Sequence, residues 1–267
     1  MRGQTKPAAC PPDEAWEPPF EFEEKLKYTL VPGALYIRYR AWKEWFKGEP
    51  EVRLLRYLVD PARNAVDVGA NKGVYTYFLA RCCRYVYAFE PNPKIFRILR
   101  RGTAWARNVT VSPVALSNRS GAGILRVPHH RGGFSNQGGS LSAVKVPDNY
   151  KAVRIEMACL DDLDIDDVGF LKIDVEGFEQ EVLEGARETI ARDRPVILVE
   201  MEGRFLDHSI EEAIRRVEDR GYRGLALLRG RLMDLSAFDG ERNQRARTSR
   251  AEHVNNFIFL PNKGPAA

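Results

Sequence analysis

Residues 66–73 read Val66-Asp67-Val68-Gly69-Ala70-Asn71-Lys72-Gly73, and the interpretation of the whole chain turns on them. The apolar, β-branched run from Ala65 to Val68 predicts a strand, and Val74, Tyr75, Tyr77, Phe78 and Leu79 recur at helical spacing. A strand, a glycine-bearing turn and a helix start leave backbone N–H groups facing outward toward a ligand. Gly69 and Gly73 permit a tight or positive-φ backbone in that turn. Their spacing is Gly-x-x-x-Gly, whereas the dinucleotide fingerprint would require glycine where Asn71 and Val74 stand.

The next fixed point is Glu90, which ends the run Tyr85-Val86-Tyr87-Ala88-Phe89. A carboxylate at the tip of a second strand can accept hydrogen bonds from both hydroxyls of a ribose. Pro91, Asn92 and Pro93 follow, with Asn92 placed as N-cap and Pro93 at the first helical position. A cofactor lacking a pyrophosphate has less need of the missing glycines. S-adenosylmethionine, with an amino-acid tail and one ribose, is such a cofactor.

Four stretches resemble the FkbM family of S-adenosylmethionine-dependent methyltransferases. They are residues 66–73, Phe89 to Pro93, Ala115-Leu116-Ser117-Asn118, and Leu171-Lys172-Ile173-Asp174-Val175-Glu176-Gly177-Phe178-Glu179. The resemblance runs in order from Glu51 to Pro261. It implies an α/β, class I methyltransferase (Rossmann-like) fold: a doubly wound, mostly parallel seven-stranded sheet in the order 3-2-1-4-5-7-6, the seventh antiparallel. It also implies methylation of a hydroxyl on a sugar, glycan or polyketide-like molecule. The cofactor residues expected on this basis are Asp67, Gly69, Ala70, Asn71, Gly73, Thr76, Glu90, Pro91, Asn92, Ala115, Leu116, Ser117 and Asp174.

Composition limits the alternatives. At 267 residues the chain can bury a substantial core, and 44% apolar with 29% charged residues is usual for a globular protein. No apolar run approaches the ~20 residues of a membrane span. The Pro/Glu-rich start has no apolar segment of a secretory signal, and Cys10, Cys82, Cys83 and Cys159 form no Cys-x-x-Cys, so a cytoplasmic setting is expected. A net charge of +4 permits a nucleic-acid partner without demanding one. Self-association is left open.

Residues 1–50 read as an N-terminal extension, 51–261 as the methyltransferase domain and 262–267 as a tail. Residues 1–24 have the composition of a disordered or loosely held segment. Tyr36, Tyr39, Trp42, Trp45 and Phe46 are spaced as on a helix, which predicts a helix packed by its aromatic face or, alternatively, a lid over the substrate. Glu51 to Leu58 reads as a helix leading into the first strand. Strands are then expected at 65–68, 85–89 and 109–116, alternating with helices at 74–83 and 93–107. Ile124 to Val127 and Val153 to Met157 alternate in period two around a Gly/Ser/His-rich loop at 129–143, predicting an inserted β-ribbon. Further strands are expected at Phe170 to Val175, Pro195 to Glu200, Leu225 to Leu228 and Asn256 to Leu260. Helices are expected from Gly177 to Arg192 and from Ser209, which opens a capping box, to Gly221.

Ligands of open α/β sheets sit beyond the carboxyl ends of the strands, which gathers 67–73, Glu90, 116–118, 174–177 and 200–202 around one crevice. Charged Asp67 and Lys172 are out of place in buried strands unless paired, and the period of two puts Phe170, Lys172 and Asp174 on one face. Methylating a hydroxyl needs a base within hydrogen-bond reach. Asp174 and Glu176 are the first candidates, then His208 for its pKa range, with Glu200 also on the crevice side and Lys172 as the partner of the carboxylates. His129-His130 has no third ligand in sequence, so no metal is expected. Arg242, Arg245, Arg247 and Arg250 read either as a solvated loop or as a grip on an anionic substrate. Two other classes stay open: a nicotinamide-dependent oxidoreductase, disfavoured by the missing glycines, and a methyltransferase-like nucleic-acid-binding protein using the arginine loop.

Overall fold

The computed structural model describes residues 18–130, 133–134, 139–141, 150–245 and 252–262. Residues 1–17, most of the 129–143 loop, and Arg247 and Arg250 therefore lie outside the described residues.

Two helices precede the sheet, α1 (Phe22–Leu30) and α2 (Gly33–Lys47), and they correct the expected packing. The helix at 33–47 forms, but Ile37 and Ala41 with Tyr36 make its buried face. Tyr39, Trp42 and Phe46 are 59–61% exposed on the other side. An Ile-Ala seam lets α2 lie close on its neighbours, which the bulky rings would prevent. A 3-10 turn (Pro50–Leu54) and the short α3 (Leu55–Leu58) replace the single helix expected from Glu51, with Pro50 at the turn's start.

The central strand β1 (Asn64–Val68) is buried at every residue. It is followed by α4 (Val74–Leu79), β2 (Tyr85–Phe89), α5 (Pro93–Thr103) and β3 (Val109–Ser112). Asn92 caps α5 as expected, its Oδ1 accepting from the N–H of Lys94 at 3.1 Å. The expected strand 109–116 is broken. Pro113, which lacks an N–H for a ladder bond, separates β3 from β4 (Ala115–Leu116), and β4 joins a different sheet. That second sheet is the inserted ribbon. Its strands β5 (Gly121–His130) and β7 (Tyr150–Ala158) pair antiparallel, while β4 lies parallel to β7 and β6 (Gly133–Phe134) extends β5.

After β8 (Val168–Ile173) the expected single helix 177–192 appears as α6 (Glu179–Glu184) and α7 (Arg187–Asp193). The break falls at Gly185, where a Cβ would stand 1.8 Å from the Ser117 carbonyl oxygen, so the helix must part to let the β4 turn pass. The chain then runs through β9 (Val196–Glu200), α8 (Ile210–Glu218), β10 (Tyr222–Leu228), β11 (Arg231–Asp234) and β12 (Asn256–Pro261). At Ser209 the hydroxyl caps Glu212 N at 3.1 Å, but the Glu212 carboxylate turns to Arg216, so the capping box is made in one direction.

The main sheet runs β11-β10-β12-β9-β8-β1-β2-β3. The strands from β3 to β9 are parallel and β12 is antiparallel to both neighbours, as the resemblance implied. One strand was not expected: β11 doubles back on β10, giving eight strands instead of seven. The period of two sorts the core cleanly. Val66, Val68, Leu171, Ile173, Ile197 and Val199 face one helical layer, while Ala65, Phe170, Leu198 and Ile258 face the other. Truncating one fully buried ring such as Phe170 to alanine would cost roughly 3–5 kcal/mol.

Candidate active site

The register β1–β8 sets Asp67 directly beside Lys172. Lys172 Nζ lies 3.7 Å from Asp67 Oδ1 and 3.1 Å from Asp174 Oδ2, and it donates to the Gly69 carbonyl at 3.3 Å. Thr76 Oγ1 donates to Asp67 Oδ2 at 2.6 Å. Burial works against the Lys172 charge, but Asp174, Asp67 and Glu49 outweigh it, and its pKa is raised. The ammonium is thus fixed under the turn that bears Gly69. Gly69 itself has φ 73°, and a Cβ there would meet the Asp174 carbonyl oxygen at 1.9 Å. Its glycine is required first by the neighbouring strand end, and only then by an incoming ligand.

Glu90 joins the first two turns. Its Oε2 accepts from Asn71 N and its Oε1 from Asn92 N, both at 2.9 Å. Gly69 N and Ala70 N donate to the Phe89 carbonyl at 3.0 and 2.9 Å, so the glycine turn is sewn to the tip of β2. Each Glu90 oxygen keeps a lone pair for a further donor. Burial raises its pKa to about 7, against the lowering by the two N–H groups.

A chamber of about 730 Å³, counting its mouth, opens over these turns. Gly69 and Glu90 line this same chamber, together with Asn71, Pro91, Asn92, Ala115, Leu116 and Asp174. Ile95, Val114, Leu125 and Leu141 supply apolar walls beside the carboxylate. An apolar slot next to a carboxylate with two free lone pairs suits an adenosine: the base between the aliphatic walls, the ribose hydroxyls on Glu90.

A second chamber shares Asn71, Asp174 and Glu176 with the first. It is charged almost throughout, by Arg40, Lys72 and Lys172 on one hand and Glu44, Glu49 and Glu200 on the other. Tyr75 donates to Glu49 Oε2 at 2.7 Å, and Lys172 Nζ lies 5.0 Å from the Tyr75 ring centre. Burial raises the pKa of Glu49. Glu200, at the end of β9, is raised to about 8, by burial and then by the charges of Asp174 and Glu49. Its Oε1 accepts from Asn255 Nδ2 at 2.6 Å. Glu176 has φ 59°, an uncommon conformation for a non-glycine, and its carbonyl accepts from Ser140 Oγ of the ribbon at 2.7 Å.

Most of the expected site residues meet here, with informative exceptions. Asp67, Gly73, Thr76 and Ser117 line neither chamber; they stand behind the walls and brace them. His208 lies apart, in a groove with Glu181, Asp207 and Arg216, its Nδ1 bonded to Asp207, so the structure does not bring it to the crevice. Arg242 is exposed and lines neither chamber. Arg40, Glu49, Tyr75, Leu125 and Ser140 do contribute and carried no short motif that would mark them. Among the described residues no group of three or more His, Cys, Asp or Glu is placed to hold a metal, Cys82, Cys83 and Cys159 are free, and no helix is long and apolar enough to cross a membrane.

The sheet order, with a chamber framed by two strand-end turns at its switch point, is that of a class I methyltransferase, a class that takes S-adenosylmethionine as methyl donor. Sequence comparison then gives the family. The profile of the methyltransferase FkbM domain matches residues 67–223, and the chain belongs to that family. This excludes the nicotinamide reading. No protein of curated function matches the chain. Solved structures that it resembles include a methyltransferase FkbM from Methylobacillus flagellatus KT, at 16% identity and a TM-score of 0.47, over 86% of this chain and 55% of that one. Another is the precorrin-6y C5,15-methyltransferase of Geobacter metallireducens GS-15, at 12% identity, TM-score 0.45, over 81% and 90%. A third is SMU.1697c of Streptococcus mutans in complex with SAH, at 10% identity, TM-score 0.47, over 79% and 95%.

Proposed function

We propose that the protein is an O-methyltransferase, acting on a hydroxyl of a sugar, glycan or polyketide-like small molecule. The observation that carries this reading is the carboxylate cluster of Asp174, Glu176, Glu200 and Glu49 on the wall of the second chamber, beside the donor site. When bound, the donor supplies an electrophilic methyl on a sulfonium. A hydroxyl oxygen must approach it in line, at ~3 Å, and lose its proton as the oxygen–carbon bond forms and the sulfur–carbon bond breaks.

Glu90 binds the ribose of the donor. Asp174, held by Lys172 at 3.1 Å, orients the acceptor hydroxyl, with Glu176 beside it. Glu200 accepts the proton in its ionised form, which it takes up as the pH climbs through its raised pKa of about 8. The test is a mass-shift screen of hydroxylated sugars, glycans and polyketide-like compounds with S-adenosylmethionine. A gain of one methyl, base-stable as an ether, supports the reading. Transfer only to amine or carbon nucleophiles would replace it.

A further inference from the structure

We propose that Arg40 of α2 and Lys72 of the first turn together bind the α-carboxylate on the methionine half of the donor, so that the segment preceding residue 67 completes the donor site. The inference rests on the S-adenosylmethionine reading and adds residues to it, one of them outside the span 67–223 that carries the family match.

Both side chains line the second chamber beside Ala70 and Asn71. Among the described residues neither forms an ion pair, although Glu44 and Glu49 line the same space. The neighbouring cations are already matched: Lys172 with Asp67 and Asp174, and the fully buried Lys94 with Glu24 at 2.7 Å. Burial and then the Arg40 charge pull the Lys72 pKa down to about 8. Glu24 opposes that shift without a direct ion pair to Lys72, so the two positive groups still repel each other, and an anion bridging them lowers that cost. Arg40 is not free to swing away with its backbone, because Ile37 and Ala41 on the same helix are locked in the core at 0% and 1% exposure.

Location and charge pattern identify the anion. The second chamber begins where the adenosine chamber ends, and they share Asn71 and Asp174. The methionine half of the donor leaves the ribose at that point and carries an α-ammonium and an α-carboxylate. A chamber with cations at Arg40 and Lys72 and carboxylates at Glu49, Asp174 and Glu200 is bipolar in the same sense. A neutral hydroxylated acceptor calls for no such cation pair.

Calorimetry on the full chain compares two ligands, S-adenosylhomocysteine and 5′-methylthioadenosine, which share the adenosine but differ in the amino-acid tail. The wild type should prefer the homocysteine compound. Arg40→Met and, independently, Lys72→Met should weaken it about ten- to a hundredfold, while methylthioadenosine stays within about twofold. Arg40→Lys should restore most of the loss. The proposal is overturned if the preference survives both substitutions, if both ligands weaken equally, or if the wild type binds them equally well. A wild type that binds neither ligand would remove the donor reading itself. Thermal melting of each variant separates loss of binding from loss of fold, and Lys72 on its half-buried turn tests the site without touching α2.

Discussion

The two chambers that meet at Asp174 are made of opposite materials. The first has largely apolar walls around Glu90, already engaged by two backbone N–H groups, and it shares Asp174 and Glu176 with the second, which is ringed by three cations and five carboxylates. The first is built from turns that follow consecutive strands and from the ribbon, so its shape follows from the sheet. The second draws Arg40 and Glu44 from α2 and Glu49 from the segment after it, so its charge depends on how the N-terminal helices dock. As the adenosine site we propose, the first chamber can be rigid and largely apolar. The second, where the proposed O-methylation moves a proton, needs groups whose charge state is near balance, and burial among like charges supplies them. The difference between the chambers is therefore one of electrostatic cost, carried by Glu90 in the first and by a whole ring of charges in the second.

Removing the cation between the chambers should give the largest effect. Lys172→Met leaves Asp67 buried with no counter-charge, and we expect a loss of about 3–5 kcal/mol in urea unfolding. Adding Asp67→Asn to that variant should recover part of the loss. If Lys172→Met alone is neutral, Asp67 is protonated in the native state and the ion pair does not hold the turn. Within the first chamber, Glu90→Ala deletes the acceptor of Asn71 N and Asn92 N as well as the ribose contact. Donor-product affinity should fall about a hundredfold or more by calorimetry. Asp174, which lines both chambers, should show the reverse balance: Asp174→Asn should lower kcat by about 10²-fold and donor affinity by less than Glu90→Ala does. Equal losses in binding for the last two variants would mean the chambers are not functionally distinct.

How much of this could be read from the sequence follows the same division. The first chamber lay almost entirely in short local motifs: a strand tip, a turn and a helix start at 66–73, and a strand tip with its cap at 89–93. Local motifs announce themselves because φ constraints and caps act over a few residues. The pairing of Asp67 with Lys172 was also legible, since two charges in buried strands need each other. Arg40 and Glu49 were not, because nothing local sets which helix face docks. The aromatic stripe of α2 was right only in part for this reason: Tyr36 is buried and Trp45 packs on Phe78, but Tyr39, Trp42 and Phe46 face outward, and the less conspicuous Ile37 and Ala41 fit the surface of α4 and α5. His208 failed differently. Its reactivity was plausible, but it follows β9 by eight residues, enough for the chain to carry it out of the crevice and into the groove beside Asp207.

The smallest effect concerns the pH dependence of the ligand-free fold. Burial raises the pKa of Glu51 and Glu90 to about 7 and of Glu200 to about 8, from an ordinary 4.5. A carboxyl whose folded pKa exceeds its unfolded one keeps a proton in the fold that the unfolded chain has lost. Its contribution is full below pH 4.5 and disappears as pH climbs through the folded value. Lys72, lowered to about 8, is charged in both states below that value and adds no slope there. The melting temperature should therefore fall between pH 5.5 and 7.5, by at least about 3 °C for a domain of this size. Glu90→Gln should make the profile shallower, because the amide has no proton to lose, while Glu51 and Glu200 keep the remaining slope. A melting temperature that rises over the same window would mean that these carboxylates are better solvated than their burial implies. The contrast between an apolar chamber and an electrostatically costly one would then lose its basis.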